Sequence, residues 1–101
     1  MKYLITAQPG TTTIKIKYAV RLFQATKEWA NALVEDGTFD CHYGCSGLGG
    51  ISIVNADSHE AVLDLILDCP LYPFFKWEVT ALTDLNHTYD KNIEYFQKLG
   101  G

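Results

Sequence analysis

The chain has 101 residues, 48% of them apolar, which is the size of one domain and enough apolar material for a single core. Its net charge of −4, with eight scattered basic residues, excludes the basic footprint of non-specific nucleic-acid binding and the polybasic stretch of a membrane anchor. No apolar run reaches the roughly 18 residues of a transmembrane helix, and three cysteines suit reduced thiols in a cytoplasm rather than a disulfide scaffold.

The opening "MKYLITAQPG" has one lysine and too short an apolar run for a signal peptide, and it reads as a strand. Tyr3, Ile5 and Ala7 alternate against Lys2, Leu4 and Thr6, and Pro9-Gly10 stops the pattern. An amphipathic helix follows, with Ala19, Leu22, Phe23, Thr26, Ala30 and Leu33 at helical spacing and Gly37 as its C-cap. Its start is set between two patterns. Residues 12–18 also alternate with period two, and the helix is the preferred expectation there.

"TFDCHYGC" and "GISIVNA" read as two strands joined by a glycine-rich turn. "SHEAVLDLILDCP" is a second helix, capped by Ser58 or Asp57 and ended by Pro70. "FKWEVTAL" is a fourth strand, and "TDLNHTYDKNIEYFQKLGG" is a third helix. The order β-α-β-β-α-β predicts an α+β, ferredoxin-like domain over 1–101. Its core spans 1–83, with an antiparallel sheet and both helices on one face, and an extra C-terminal helix covers 84–99.

Uninterrupted alternation assigns Tyr3, Phe39, Tyr43 and Trp77, with the thiols of the second strand, to the helix-facing side. It assigns Leu4, Thr6, His42, Ser52, Val54, Glu78 and Thr80 to the other side. That mixed face suits burial against a second copy, so a homodimer or larger homo-oligomer is expected, its two sheets closing into a barrel.

The stretch "DCHYGCSGLGG" raises three chemistries. A metal site on Cys41, His42 and Cys45 fails on geometry. Residues four apart on a strand lie about 13 Å apart, whereas zinc needs both sulfurs about 2.3 Å from the metal. A Cys41–Cys45 disulfide fails for the same reason. A thiol nucleophile at Cys41 or Cys45 needs a base; His42 faces away from both, and His59 or His87 would have to approach in space, which nothing in the sequence shows. His42 itself is the stronger candidate. An imidazole moves protons near neutrality, and Asp40 two residues earlier, or Glu78 on a nearby strand, could hold its tautomer. The plain alternative is a histidine satisfied by hydrogen bonds at an interface.

Lys27 sits on the rim of the first helix's apolar stripe, four residues after Phe23, where its stem can reach over a cleft. An exposed lysine on a solvated face is the alternative. The aromatics are mostly core, yet an aromatic pocket for a flat or cyclic molecule has the same composition. Tyr43 and Tyr72 carry hydroxyls that need partners if buried, so either could hold a substrate carbonyl, while Trp29 and Trp77 could wall the pocket. His87, Tyr89, Tyr95 and Phe96 on the third helix read as a docking face onto another subunit.

The segment "CPLYPFFKWEVTAL" resembles the muconolactone isomerase family, which carries a Pro-Leu-aromatic-Pro-aromatic run followed by Glu-Val-Thr. The matching residues are Pro70, Leu71, Tyr72, Pro73, Phe74, Glu78, Val79, Thr80 and Leu82, and Lys27, Gly37 and Gly47 fall at comparable positions upstream. The resemblance covers about residues 3 to 82. It implies a subunit of a dimeric α+β barrel, often built into larger rings, that moves a proton within a small lactone without a cofactor. This chain departs from the family at Leu4 and Thr6, where charged or imidazole groups are usual, and at Gly44, where an arginine is usual. Without that arginine an anionic carboxylate substrate loses its bidentate anchor, so a less charged molecule is expected.

The expected activity is a cofactor-free isomerisation or cyclisation by proton transfer on a small cyclic, lactone or polyketide-like molecule. His42 and Lys27 are the catalytic candidates, and Tyr43, Tyr72, Trp29, Trp77 and Glu78 the substrate-binding ones. A cofactor-independent monooxygenase on the same barrel and a non-catalytic binding or assembly protein are the alternatives. No metal, nucleic acid or membrane partner is expected.

Overall fold

A computed structural model describes residues 1–101. Its elements follow the expected order: β1 (Lys2–Pro9), α1 (Ile16–Glu35), β2 (Phe39–Gly44), β3 (Gly50–Asn55), α2 (His59–Leu67), β4 (Phe75–Leu82) and α3 (Leu85–Lys98). A 3-10 turn at Tyr72–Phe74, with Pro73 in its first positions, leads into β4. The four strands form one sheet in the order β2-β3-β1-β4, and every neighbouring pair is antiparallel. This is the ferredoxin-like α+β arrangement.

Local chemistry sets the element ends. β1 stops at Pro9, and the next amide, Gly10 N–H, donates to the Phe74 carbonyl at 2.9 Å, which ties the strand end to the 3-10 turn. α1 begins at Ile16 after an extended Lys15. Residues 11–15 are therefore irregular, and the helix expected from residue 12 starts later. The three β-branched threonines at 11–13 lose side-chain freedom in a helix and compete for its backbone groups. α1 ends at Asp36, and Gly37 takes φ +83°, the left-handed conformation that glycine tolerates after a helix. Ser58, not Asp57, caps α2: its Oγ accepts the Ala61 N–H at 3.1 Å. Asp84 caps α3 in the same way, accepting from His87 N–H at 3.1 Å.

The core lies between the sheet and the first two helices. Tyr3, Ile5, Phe39 and Val54 meet Ala30 of α1 and Val62 and Ile66 of α2. Because β1 pairs Tyr3 with Val54 and Ile5 with Ser52, and Ala7 with Trp77, one alternation runs across three strands. Leu4, Thr6, Glu78 and Thr80 then face the opposite side, as expected.

β2 departs from simple alternation. Phe39 pairs with Val54, but the next pair is Cys41 with Ile53, so Asp40 is an extra residue in a β-bulge. Beyond it, His42 pairs with Ser52 and Tyr43 with Ile51. Five expected positions are corrected: two by the pairing of β3 with β1, which sets Val54 and Ser52 opposite the inward-facing Tyr3 and Ile5, and three by the bulge. Val54 and Ser52 are on the helix side, fully or almost fully buried. His42 is on the helix side too, and its ring stacks on Phe39 with centroids 5.8 Å apart. Tyr43 and Cys41 face outward, and Tyr43 is 64% exposed.

Candidate active site

The space between sheet and helices is not filled. A cavity of about 290 Å³ lies there, bounded by α1, the first three strands and the start of β4. The sequence explains the opening. On the inner face of the sheet, where a core calls for large side chains, this chain has Ala7, Gly44, Gly50 and Ser52, and Gly49 lies beside them. A side chain at Gly44 would meet nothing within 4 Å, so it would project into open space. Gly49 is required for another reason: a Cβ there would lie 2.5 Å from the Ala7 carbonyl oxygen.

α1 supplies one wall. Phe23, Thr26, Lys27 and Ala30 recur at helical spacing along its inner stripe, with Trp29 and Asn31 beside them. Trp29 meets Phe39 edge to face, with centroids 5.6 Å apart. Leu71, Phe75 and Trp77 close the other end. The Trp77 indole N–H donates to the Tyr72 carbonyl at 3.1 Å, which fixes the ring as a wall.

The polar groups are few. His42 Nδ1 and Ser52 Oγ lie 2.7 Å apart, and Ser52 is only 5% exposed. The hydroxyl can donate to a bare Nδ1 or accept from a protonated one, so it suits either tautomer and leaves Nε2 as the free ring nitrogen. Partial burial lowers the His42 pKa below its ordinary value, so the imidazole is neutral at pH 7. Lys27 is the one charged side chain in the lining, and no carboxylate faces the cavity. Cys69 lines it as well, but burial pushes its thiol pKa up, which keeps it protonated and poorly nucleophilic.

The sequence-derived candidates therefore divide. His42, Lys27, Trp29 and Trp77 come together on one cavity. Tyr43 and Glu78 lie on the opposite face of the sheet. Tyr72 stacks on Trp77, centroids 6.3 Å apart, but lines a separate open groove with His59, Leu63 and Val79. Asp40 does not support His42. Its carboxylate is bound by Lys2 and Asn55, which hold its pKa below the usual range. Ser52 takes the role that Asp40 or Glu78 was expected to fill. The alternation reading missed Ser52 because the period within β3 does not say which of its faces meets the helices, and pairing opposite Tyr3 and Ile5 of β1 decides that; the visible signal was the group of small residues on the inner strand positions. No three histidine, cysteine or acidic side chains converge to cage a metal ion, and all three cysteines are free.

No protein-family model and no curated protein matches the sequence. Solved structures do. The chain is similar to muconolactone isomerase, with a TM-score of 0.73 and 23% identity over 83% of this chain and 90% of that one. It is also similar to 5-chloro-2-hydroxyhydroquinone dehydrochlorinase from Burkholderia phenoliruptrix, solved with 2,5-dihydroxybenzoquinone. That match has a TM-score of 0.68 and 15% identity over 86% of this chain and 98% of that one. The chain carries the muconolactone isomerase-like fold that its segment at 70–82 resembles.

Proposed function

We propose that the protein is a cofactor-free isomerase or cyclase that moves a proton within a small cyclic carbonyl compound bound in the cavity against His42 and Lys27. The observation that carries this reading is the lining itself. One neutral imidazole and one ammonium stand in an otherwise uncharged, largely apolar cavity whose volume suits a molecule of one or two rings. Both similar structures are of enzymes that act on small molecules, and one holds a cyclic dione.

In this reading His42 Nε2 takes a proton from a carbon next to a carbonyl. The C–H electron pair moves to the carbonyl oxygen and gives an enolate. Lys27 stabilises that negative charge, which is worth more in an apolar cavity than in water. His42, now protonated and held by Ser52, returns the proton to a different carbon. Trp77, stacked on Tyr72 behind it, shapes the wall, and the open space at Gly44 leaves room for the ring. Tyr43 and Glu78, on the outer face, serve a second copy rather than the substrate.

The outer face carries Leu4, Thr6, Cys41, Tyr43, Ile51 and Ile53, uncovered by any element of the same chain, which supports a dimer closed through its sheets. α3 buries none of its own residues and exposes Leu85, Tyr89, Ile93 and Phe96, which supports docking onto another copy. The free cysteines suit a reducing cytoplasm.

The test is proton exchange. The protein is incubated in D2O with a panel of unsaturated γ-lactones and cyclic β-diketones, and deuterium uptake at carbon is followed by NMR. His42→Ala is expected to lose at least a hundredfold in rate, and Lys27→Met a comparable amount, with both variants folded and of native size. Oxygen uptake with the same panel would favour a monooxygenase. Binding without exchange or oxygen uptake would favour a non-catalytic binding protein.

A further inference from the structure

The bulge at Asp40 decides which side chains enter the cavity. Were β2 to pair regularly from Phe39↔Val54 onward, Cys41 would stand opposite Ser52 and Tyr43 opposite Gly50, both facing the helices, and His42 would face out. A one-residue slip reverses every side chain beyond it. The β2–β3 connection would have to re-form in that register. It is short and glycine-rich, closed by Cys45 N–H donating to the Gly49 carbonyl at 2.8 Å, with Gly47 at φ +96°. Burial does not choose the bulge. Regular pairing would place Cys41 and Tyr43 inside, and the bulge places His42 and Gly44 there.

A polar cluster sits at the bulge. The Asn55 side-chain amide donates to Asp40 Oδ1 at 2.6 Å and to the Gly37 carbonyl at 3.1 Å. Asn55 Oδ1 accepts from Lys2 Nζ at 2.8 Å, and the same ammonium pairs with the other oxygen of Asp40. Four segments meet here: β1, the turn after α1, the extra residue of β2 and the end of β3. In the regular register Asp40 would oppose Ile53, a diagonal of about 7–8 Å from Asn55 across the sheet.

We propose that Lys2, Asp40 and Asn55 form a register lock that holds the bulge and so keeps His42, rather than Tyr43, in the cavity. Asn55 is then a positioning residue, acting on the site through strand register without touching it. The effect on turnover rests on the role given to His42; the effect on register does not.

The test is NMR on the full chain, reading the cross-peak between the His42 and Phe39 rings. Asn55→Ala is expected to cut its intensity by at least half and to bring Tyr43 into contact with core aromatics. Lys2→Met, a change at an exposed side chain that leaves the core intact, is expected to weaken it in the same direction. Deleting Asp40 in the Asn55→Ala background removes the extra residue and leaves Phe39↔Val54, Cys41↔Ile53 and His42↔Ser52 as a regular ladder, so the cross-peak is expected to return. An unchanged His42–Phe39 cross-peak in both Asn55→Ala and Lys2→Met would overturn the lock, as would a deletion that fails to restore it. If the cross-peaks behave as expected while His42→Ala keeps full exchange activity, the lock stands and the proton-transfer reading falls.

Discussion

His42 gains its chemistry from three neighbours that the one-dimensional pattern does not place together. Phe39 stacks on the ring, Ser52 holds Nδ1, and Gly50 lies beside it, its would-be Cβ in ordinary contact at 3.9 Å from Cε1 and tight at 3.0 Å from the Tyr43 carbonyl oxygen. The lowered pKa fixes the sign of a pH dependence. As a base His42 works unprotonated, so exchange is expected to be full at neutral pH and to fall as the pH drops through the lowered pKa, below 6.5. In stability the same group contributes fully above the ordinary histidine pKa and loses its contribution as the pH falls through the folded value. A pH–rate profile checks the first, and His42→Ala is expected to remove that acid limb with the remaining activity. Ser52→Ala is expected to lower the rate about tenfold or more and to leave ligand affinity nearly unchanged, because the ring loses the Nδ1 partner that holds its orientation.

Among the elements, the strands and helices were legible because each has a clean period and explicit stops: Pro9 after β1, Gly37 after α1, Ser58 before α2. Ser58→Ala is expected to cost about 1 kcal/mol in denaturant unfolding, since the Ala61 N–H loses its acceptor. Ile66→Ala, which empties a site at the centre of the core, is expected to cost about 2–5 kcal/mol in the same measurement. β2 was legible in extent but not in facing. Alternation assumes one residue against one, and the bulge depends on Lys2 and Asn55, which lie 38 and 15 residues from Asp40 in sequence. For that reason periodicity places Lys27 and Trp77 toward the cavity and aromatic content suggests Trp29, whereas Tyr43 and His42 exchange faces.

At the scale of the whole molecule the chain is longer than its core requires. Its radius of gyration is 17.2 Å and its longest extent 62 Å, against about 13 Å for a compact chain of this length. α3 accounts for this, since it carries an apolar stripe and buries no residue. Its aromatic content was visible in the sequence, but its direction was not, because two residues of connection set it. Truncation after Leu82, or Phe96→Glu with Ile93→Glu, is expected to lower the assembled mass in light scattering while the β-sheet signal in circular dichroism persists. A charge on the outer sheet face, Ile53→Arg, is expected to prevent the proposed pairing of two sheets independently, read in the same light-scattering measurement.

The most direct test of the account is deuterium uptake from D2O into the carbon next to a lactone or cyclic diketone carbonyl, catalysed by the wild-type protein and by His42→Ala. The account expects rapid uptake with the wild type and a loss of at least a hundredfold in the variant, with the same ligand still bound. Equal uptake by both proteins, or none by the wild type with a bound ligand, would contradict it.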